Sequence, residues 1–417
     1  MRILHTADWH LGHRLYNRDR SDEHRAALKW LLQTVASERV DVVIVAGDVF
    51  DVTNPSNQAK ELYYEFLAGL RGTCCTAAVI VGGNHDSPSL LNAPRSLMKA
   101  LQLHVVGAAD TPAAERVVRI QCREQEVLIA AVPYLRERDL RTARFGETVE
   151  DRADALRTGI RDHFEEIATA AVAQRSHDAV PIVATGHLFA AGASDDEEKK
   201  SYIYQANEQN IEAGAFPGCF DYVALGHIHR AQRVGDQQHI RYAGSLVPLT
   251  FVEGQAARSV RIVDIGRAGE PVSSRKVPVP YARTLLRLRY ELPEIKRRLA
   301  EAVRSDTVHT LTPWAEVRVL SDDPIPNLRE KLLKHLRDVQ AECGSETTIE
   351  LIRISRERLT PHSAMNGHDP IQQQLDELDP LEVFSQLCAR AQPSEEMATA
   401  LRHDFLVLRD WINEEPA

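Results

Sequence analysis

The chain has 417 residues, of which 43% are hydrophobic and 26% are charged. This length is enough for about two or three domains, and the hydrophobic fraction excludes a chain that is disordered throughout. The 60 acidic and 50 basic side chains give a formal net charge of −10, which argues against nucleic-acid binding through bulk positive charge and leaves room for a local basic surface. No apolar run approaches the roughly 18 residues needed to span a bilayer, and the opening MRILHTADWH predicts a buried strand rather than a signal peptide. Six cysteines without metal-binding spacing indicate thiols in a reducing cytosol.

Short β-branched runs alternate with amphipathic stretches over the first 265 residues, which is typical of an α/β domain. Helices are predicted at 22–37 and 58–70. The runs that predict buried strands are 2–6, 42–46, 78–81, 127–131, 182–185, 222–225, 240–243 and 259–264. The acidic and basic run DDEEKK at 195–200 predicts an exposed loop.

The composition changes after this region. Gly, Pro, Ser and charged residues at 266–280 predict a linker. A β-α-β-α-β pattern then predicts a small domain over 281–356, with strands at 285–289, 314–320 and 348–354 and helices at 293–303 and 326–342. After a second breaker-rich stretch, two helical segments at 381–391 and 394–412 predict a tail over 369–417. The second segment carries an apolar face with Leu401, Phe405 and Leu408, which either docks on the body or binds a partner.

Five short motifs rich in Gly, His and Asp directly follow predicted strands. They are DWH at 8–10, GDVFD at 47–51, GNHD at 83–86, GH at 186–187 and GHIH at 226–229. Because ligands of open α/β sheets bind outside the carboxyl ends of the strands, we expect these motifs to converge on one site.

Carboxylate, imidazole and amide oxygen are ligands of Mn²⁺, Fe²⁺, Zn²⁺ or Mg²⁺, and the motifs contain no thiolate. Two such ions polarise a phosphoryl group and stabilise its displacement when one carboxylate bridges them, and Asp48 stands in the middle of the set. A single histidine at a strand end is usually structural, so the specificity of the pattern comes from the complete set in one order.

These motifs resemble the D-x-H, G-D-x-x-D, G-N-H-D, G-H and G-H-x-H set of the calcineurin-like metallophosphoesterases. The blocks MRILHTADWHLG, VVIVAGDVFD, GNHDS and ALGHIHRAQ further resemble the SbcD family of bacterial nuclease subunits, and the similarity extends along nearly the whole chain. The resemblance implies a two-sheet α/β (αββα sandwich) metallophosphoesterase domain over 1–265, a small α/β cap domain that binds DNA over 281–356, and a C-terminal helical tail over 369–417 that binds a partner.

The resemblance also implies roles for individual residues. One metal ion would be held by Asp8, His10, Asp48 and His229, and the other by Asp48, Asn84, His187 and His227. Mn²⁺ is the typical ion of the family. His85 would protonate the leaving group or contact the scissile phosphate, with Asp51 or Asp86 orienting it. Two structural alternatives stay open: His85 as a turn residue, and Asp51 as a cap of the segment that follows it.

The activity implied is that of a double-strand DNA exonuclease and single-strand or hairpin endonuclease. Its partner would be an SbcC-type ATPase with a coiled coil, in a cytoplasmic, nucleoid-associated heterotetramer that contains a homodimer of this chain and no membrane component. The chain has no G-x-x-x-x-G-K-[ST] motif, so ATP would be bound by the partner. The alternatives are a phosphatase or small-molecule phosphodiesterase with the same metals, and a non-catalytic scaffold.

Two further patterns leave their interpretation open. A stripe of Leu90, Leu91, Leu97, Met98 and Leu101 is either core or a dimer contact. Basic side chains either contact phosphates or form a solvated surface, and they occur as His13, Arg14, Arg18, Arg20 and Arg25, as Arg136, Arg138, Arg141 and Arg144, and as Lys296, Arg297 and Arg298.

Overall fold

Seventeen strands and eight α-helices form the described part of the chain in the computed structural model, which covers residues 1–142, 146–190, 211–305, 310–344 and 348–358 and positions 384, 401 and 405. The strands are β1 (Arg2–Thr6), β2 (Arg14–Leu15), β3 (Arg18–Asp19), β4 (Val42–Ala46), β5 (Ala77–Val81), β6 (Leu103–Val106), β7 (Val117–Cys122), β8 (Gln125–Ala130), β9 (Ile182–His187), β10 (Tyr222–Gly226), β11 (Arg233–Val234), β12 (Gln237–Tyr242), β13 (Ser259–Asp264), β14 (Ser273–Pro278), β15 (Leu285–Tyr290), β16 (Trp314–Leu320) and β17 (Glu350–Glu357). The helices are α1 (Ser21–Ser37), α2 (Asn57–Leu70), α3 (Pro88–Asn92), α4 (Arg95–Ala100), α5 (Glu137–Leu140), α6 (Val149–Ala173), α7 (Leu292–Arg304) and α8 (Leu328–Cys343).

Residues Met1–Leu359 form one compact unit, and Thr360–Ala417 form a second. Within the second unit the rings of Phe384 and Phe405 stack with their centroids 4.3 Å apart. The rest of the predicted tail and the predicted loop at 195–200 lie outside the described residues. Within the described residues, no helix is long and apolar enough to cross a membrane.

Two six-stranded sheets form the body of the first unit. The first has the order β14-β13-β1-β4-β5-β6, in which β1, β4, β5 and β6 are parallel and β13 and β14 run antiparallel to their neighbours. The second has the order β11-β12-β10-β9-β8-β7, with β8, β9, β10 and β12 parallel. All five residues of β4 are buried, as expected for a strand covered on both faces.

The sheets pack face to face with helices outside, which confirms the predicted αββα sandwich. Ile44 and Val79 of the first sheet and Val183 of the second belong to one core cluster between the sheets. Helices α1 and α2 cover the outer face of the first sheet, and α6 covers that of the second with residues such as Phe164. This layering leaves the carboxyl ends of both sets of parallel strands at a common edge.

A third sheet, β15-β16-β17, is fully parallel and packs against α7 and α8 around Val317, Ile295 and Leu332. It contacts the body through a cluster of Leu15, Phe251, Leu285 and Trp314. The Tyr16 hydroxyl, in the turn between β2 and β3, donates a hydrogen bond of 2.8 Å to Glu316 of β16. The segment directly after the first motif therefore contacts the small sheet.

Most predicted strands and helices agree with the structure within about two residues, but the linker at 266–280 is wrong in its second half. Residues Ser273–Pro278 pair with β13 as an edge strand. An edge strand pairs with one neighbouring strand only, and its other side is exposed to solvent. It therefore carries polar residues, and its composition resembles that of a linker. The prediction also missed α6, the longest helix of the described residues, although its buried apolar residues recur at helical spacing from Ala153 to Ala171.

The leucine stripe after the third motif is divided between α3 and α4. Leu91 and Met98 are buried in the core, whereas Leu97 is 68% exposed and Leu101 39% exposed. Leu90 is partly buried and packs against the same core, so three residues of the stripe contact the core and two lie on the surface.

A buried histidine joins the two sheets and makes stability depend on pH. His5 Nε2 donates to the Leu225 carbonyl at 3.2 Å, so its Nδ1 accepts from the Tyr222 hydroxyl at 3.0 Å and the ring is neutral. Burial, and then the charge of Arg261, lower the pKa of His5 to about 3. In the unfolded chain the His5 side chain has its ordinary pKa of about 6.5 and is protonated below that pH, whereas in the folded chain it stays neutral. The free energy of unfolding therefore falls as the pH drops from about 6.5 toward 3.

The free energy of unfolding of the unsubstituted chain is expected to fall between pH 7 and pH 5. We expect this fall to be about 2 kcal/mol smaller in His5→Gln, which lacks the titrating ring. Urea unfolding of chelator-treated protein at both pH values measures this difference. His177→Gln, at an exposed position, is the control and should keep the full loss. An equal loss in His5→Gln would show that His5 is not responsible.

Candidate metal centre

The five predicted motifs lie at the common edge of the two sheets, at the carboxyl ends of β1, β4, β5, β9 and β10, and the fourth motif forms the last two residues of β9. Asp8, His10 and Asp48 adopt positive φ angles of 51°, 47° and 49°, and His227 has a φ of 96°. Such angles are strained for residues with a Cβ and occur mainly where the side chain is needed at a site. The neighbouring Gly83 is required by space, because a Cβ there would collide with the Asp48 carboxylate.

A first group of side chains consists of Asp8, His10 and His229, whose ligand-type atoms lie within 4.8 Å of one another. Asp8 Oδ1 accepts from the His227 amide at 2.8 Å, while its Oδ2 and the Nε2 of His10 are buried with no hydrogen-bond partner. Leaving a buried polar atom unpaired costs about 1–3 kcal/mol. Two such atoms side by side fit a cation that accepts their lone pairs.

A second group surrounds His187. Its Nε2 lies 3.0 Å from Asn84 Oδ1 and 3.2 Å from Asp48 Oδ2, and His227 Nδ1 lies 3.1 Å from the same Asn84 oxygen. Asp48 also approaches the first group, with Oδ2 3.5 Å from His10 Nε2. Asp48 is thus the carboxylate between the two groups.

Electrostatics favour the ionised form of Asp48. Its burial acts to raise the pKa, but His187, His10 and His85 outweigh burial and hold the pKa well below its usual range. Conversely, burial acts to lower the pKa of His187, but Asp48 raises it to about 9. This concentration of acidic and basic groups in a buried edge is typical of functional sites.

The outer nitrogens of three histidines are held by fixed acceptors. Nδ1 of His187 donates to the Ala46 carbonyl at 2.9 Å, and Nδ1 of His10 lies 3.2 Å from Asp51 Oδ1. Nδ1 of His229 lies 2.9 Å from Glu253 Oε1. Such outer contacts fix the ring and its tautomer, so that Nε2 is the nitrogen directed to a metal.

Glu253 contacts the predicted metal ligand His229 and was not identified from the sequence. It is 3% exposed and also accepts from the Leu249 amide at 3.0 Å, with Arg258 Nη1 3.6 Å away. Its burial acts to raise the pKa, but His229 and Arg258 hold it below its usual range. It follows no strand and belongs to no motif, so no signal in the sequence could identify it.

Of the two residues expected to orient His85, Asp51 contacts the His85 ring and Asp86 binds backbone amides. The Asp51 carboxylate contacts His10 and His13, and it is the Asp51 backbone carbonyl that accepts from Nδ1 of the exposed His85 at 2.7 Å. The Asp86 carboxylate accepts from the backbone amides of Val49, Phe50 and Gly83. Asp86 therefore connects the second motif to the third, and Asp51 contacts the His85 ring through its backbone carbonyl.

Burial, and then the nearby charge of Asp48, raise the pKa of Asp86 to about 6. The backbone amides that it accepts from oppose this rise without cancelling it. The Asp86 carboxyl group, which joins the two loops, is therefore protonated at a higher pH than an ordinary aspartate.

Several arginines of the basic clusters form ion pairs within the chain. Arg20 is buried against Glu23, Arg25 pairs with Glu65, and Arg18 pairs with Glu350 of β17. Arg141 binds Glu137 and Glu147, and Arg297 binds Glu294 and Glu301. These contacts favour the structural interpretation for these five side chains.

Comparison with known proteins agrees with this architecture. Residues 1–231 match the calcineurin-like phosphoesterase family, and residues 282–392 match a type 5 capsule protein repressor C-terminal domain. The SbcD chain of the SbcCD nuclease of Escherichia coli (strain K12) is 33% identical over 405 residues, covering 97% of each chain. The SbcD proteins of Rhodobacter capsulatus and Bacillus subtilis are 32% and 33% identical, covering 80% and 69% of this chain and 83% and 72% of their own.

The fold, the clustered motifs and these matches over nearly the full length lead to one conclusion. The chain belongs to the calcineurin-like phosphoesterase family and, within it, to the SbcD family of SbcCD nuclease subunits.

Proposed function

We propose that the centre holds two divalent metal ions, Mn²⁺ in the cell. Asp8, His10, Asp48 and His229 would hold one ion, and Asp48, Asn84, His187 and His227 the other. The proposal is supported by the two unpaired buried atoms in the first group and by the oxygen and nitrogen donors around Asn84 in the second.

The chain is a metal-dependent nuclease of the SbcCD type, a hydrolase of phosphodiester bonds. The observation that carries this function is the donor set at the sheet edge, brought together from five separate strand ends in a chain that matches SbcD of Escherichia coli over 97% of its length. When bound, the ions would supply Lewis-acid charge on the phosphoryl group and an activated water.

The residues of the chain supply orientation and proton transfer. The fixed rings of His10, His187 and His229 keep their Nε2 atoms aimed at the centre. The Asp51 carbonyl keeps a proton on Nδ1 of His85, so Nε2 is the atom that exchanges a proton with the leaving oxygen. The His85 ring lies edge to face with His10 at 4.8 Å between centroids, beside the first group.

We propose that the substrate is DNA, cut as a double-strand exonuclease and a single-strand or hairpin endonuclease. Residues 1–265 would carry the nuclease, 281–356 a DNA-binding cap, and 369–417 the contact with the coiled coil of an SbcC-type ATPase. A homodimer of this chain would form within a heterotetramer, in the cytoplasm at the nucleoid. The exposed apolar Leu97 and Leu101 support the dimer, and the family match of residues 282–392 supports the cap.

The nuclease function is tested with an end-labelled DNA hairpin and Mn²⁺. We expect cleavage by the unsubstituted chain and a loss of more than about 100-fold in Asp48→Asn, because the bridging charge is removed. The small esters p-nitrophenyl phosphate and bis-p-nitrophenyl phosphate are run in parallel. Hydrolysis of the esters without cleavage of DNA, also with the ATPase present, would identify a phosphatase or small-molecule phosphodiesterase instead.

The role of His85 is tested by His85→Gln. We expect a fall in turnover of about 100-fold or more with unchanged metal content, because the side chain contacts the leaving group and holds no ion. Metal content is measured by atomic emission beside the cleavage rate. Loss of metal from the variant would show that His85 is a ligand.

The role of Glu253 is tested by Glu253→Gln, which keeps the volume and removes the charge behind His229. We expect Mn²⁺ affinity to fall about 10- to 100-fold, because the ring loses its fixed orientation and basicity. Calorimetric titration with Mn²⁺ measures the affinity without any need for turnover. Glu65→Gln, at a surface ion pair, is the matched control, and equal affinities in the two variants would contradict the role.

A further inference from the structure

A second polar cavity of about 440 Å³ lies beside the metal centre and shares His229 with it. Its walls come from the loop after β10, the segment between β12 and β13, and the edge strand β14. The lining residues used below are Arg230, Ser245, Arg258, Ser259 and Lys276. Its volume is within the range of small-molecule sites.

The cavity is positively charged. Arg230, Arg258 and Lys276 line it, and none of the described residues in its wall carries a carboxylate. Glu253 lies behind the wall, with Oε2 3.6 Å from Arg258 Nη1, and compensates the charge of Arg258 but not that of Arg230 or Lys276. Burial, and then the charges of Arg261, Arg230 and Arg241, lower the pKa of Lys276, which is the effect expected of positive charges that lack counterions.

Hydrogen-bonding capacity in the wall is unused. Arg258 is 4% exposed, and its Nη1 donates to the His229 carbonyl at 2.6 Å and to Ser245 Oγ at 3.3 Å, which holds the guanidinium in place. Its Nε and the hydroxyl of Ser259, which is 7% exposed, have no hydrogen-bond partner. Buried donors of this kind are normally satisfied, so they point to a ligand that brings acceptor oxygens.

We propose that this cavity binds a phosphate group, either of the DNA strand or of the phosphomonoester end that hydrolysis leaves on a released nucleotide. Phosphate offers acceptor oxygens to Arg258 Nε and the Ser259 hydroxyl, and negative charge to Arg230 and Lys276. The proposal rests on the nuclease function and adds to it a second phosphate position beside the metal centre, joined to it through His229.

The experiment measures phosphate binding to the full chain in the presence of a chelator, so that bound metal ions cannot contribute. Inorganic phosphate is titrated calorimetrically into the unsubstituted chain, Lys276→Gln and Arg275→Gln. Arg275 is the adjacent residue of β14 and pairs with Glu38, so its variant removes the same charge from the same strand without touching the cavity. We expect Lys276→Gln to bind phosphate at least about tenfold more weakly and Arg275→Gln to bind it unchanged.

A second variant guards against a local change of fold, because Lys276 Nζ also donates to the Ala231 carbonyl at 2.8 Å. Arg230→Gln should weaken phosphate binding in the same direction, and thermal unfolding of each variant should match that of the unsubstituted chain. The proposal is overturned if the unsubstituted chain binds no phosphate, or if both cavity variants bind it as tightly as Arg275→Gln.

The source of the phosphate is distinguished with short oligonucleotides that carry either a 5′-phosphate or a 5′-hydroxyl. If the group belongs to a strand end, the phosphorylated form binds more tightly and Lys276→Gln removes that difference. If it belongs to a released nucleotide, a deoxynucleoside 5′-monophosphate binds more tightly than the phosphorylated oligonucleotide, and Lys276→Gln weakens that binding. Failure of the nuclease function appears separately, as uncut DNA in the hairpin assay, while Asp48→Asn should keep its phosphate binding in chelator.

Discussion

The position of the Asp48 carboxylate is the constraint on which the rest of the site depends. It lies 3.2 Å from His187 Nε2 and 3.5 Å from His10 Nε2, and its other oxygen accepts from the His85 amide at 2.9 Å. A fully ionised carboxylate in a buried edge is costly unless positive charge surrounds it. The histidines of two different sheets supply that charge in the metal-free protein, and cations would supply it in the loaded one.

The fold meets this requirement by bringing two parallel sheets to one edge. Asp48 comes from the first sheet and His187 from the second, so neither sheet alone could build the site. The strained φ angles of Asp8, His10 and Asp48 indicate that the loops are held against their local preference. Asp86, with its three backbone amides, is the brace that connects two of these loops.

Hydrogen bonds connect the metal centre to two neighbouring parts of the structure. Glu253 and Arg258 connect His229 to the positively charged cavity, and the turn that carries Tyr16 connects the first motif to the three-stranded sheet. Each connection ends on a buried carboxylate, Glu253 or Glu316, whose hydrogen-bond partners are fixed because leaving a buried carboxylate unpaired is costly. A structural change in the cavity or in the three-stranded sheet is therefore transmitted to the metal ligands through these hydrogen bonds.

The apolar runs of the sequence were enough to predict an α/β domain with the motifs at one edge, and the resemblance of the motifs to the metallophosphoesterases predicted the two-sheet sandwich. Apolar runs such as VVIVA are buried on both faces whatever lies beside them, and a motif at the end of such a run has only one place to go. Composition failed where the local signal was weak. The edge strand Ser273–Pro278 is polar because one of its sides has no neighbouring strand. The helix Val149–Ala173, by contrast, has apolar residues at regular helical spacing, so its periodicity is sufficient to predict it.

The groups that surround the motifs were set by tertiary packing. Glu253 and Lys276 lie outside every motif and reach His229 and its neighbouring cavity through loops and an edge strand distant in sequence. The partner of the His85 ring is likewise a backbone carbonyl, which every residue possesses and no sequence pattern can mark. Side-chain chemistry can be read from a sequence, whereas the partners that tune it depend on distances that only packing sets.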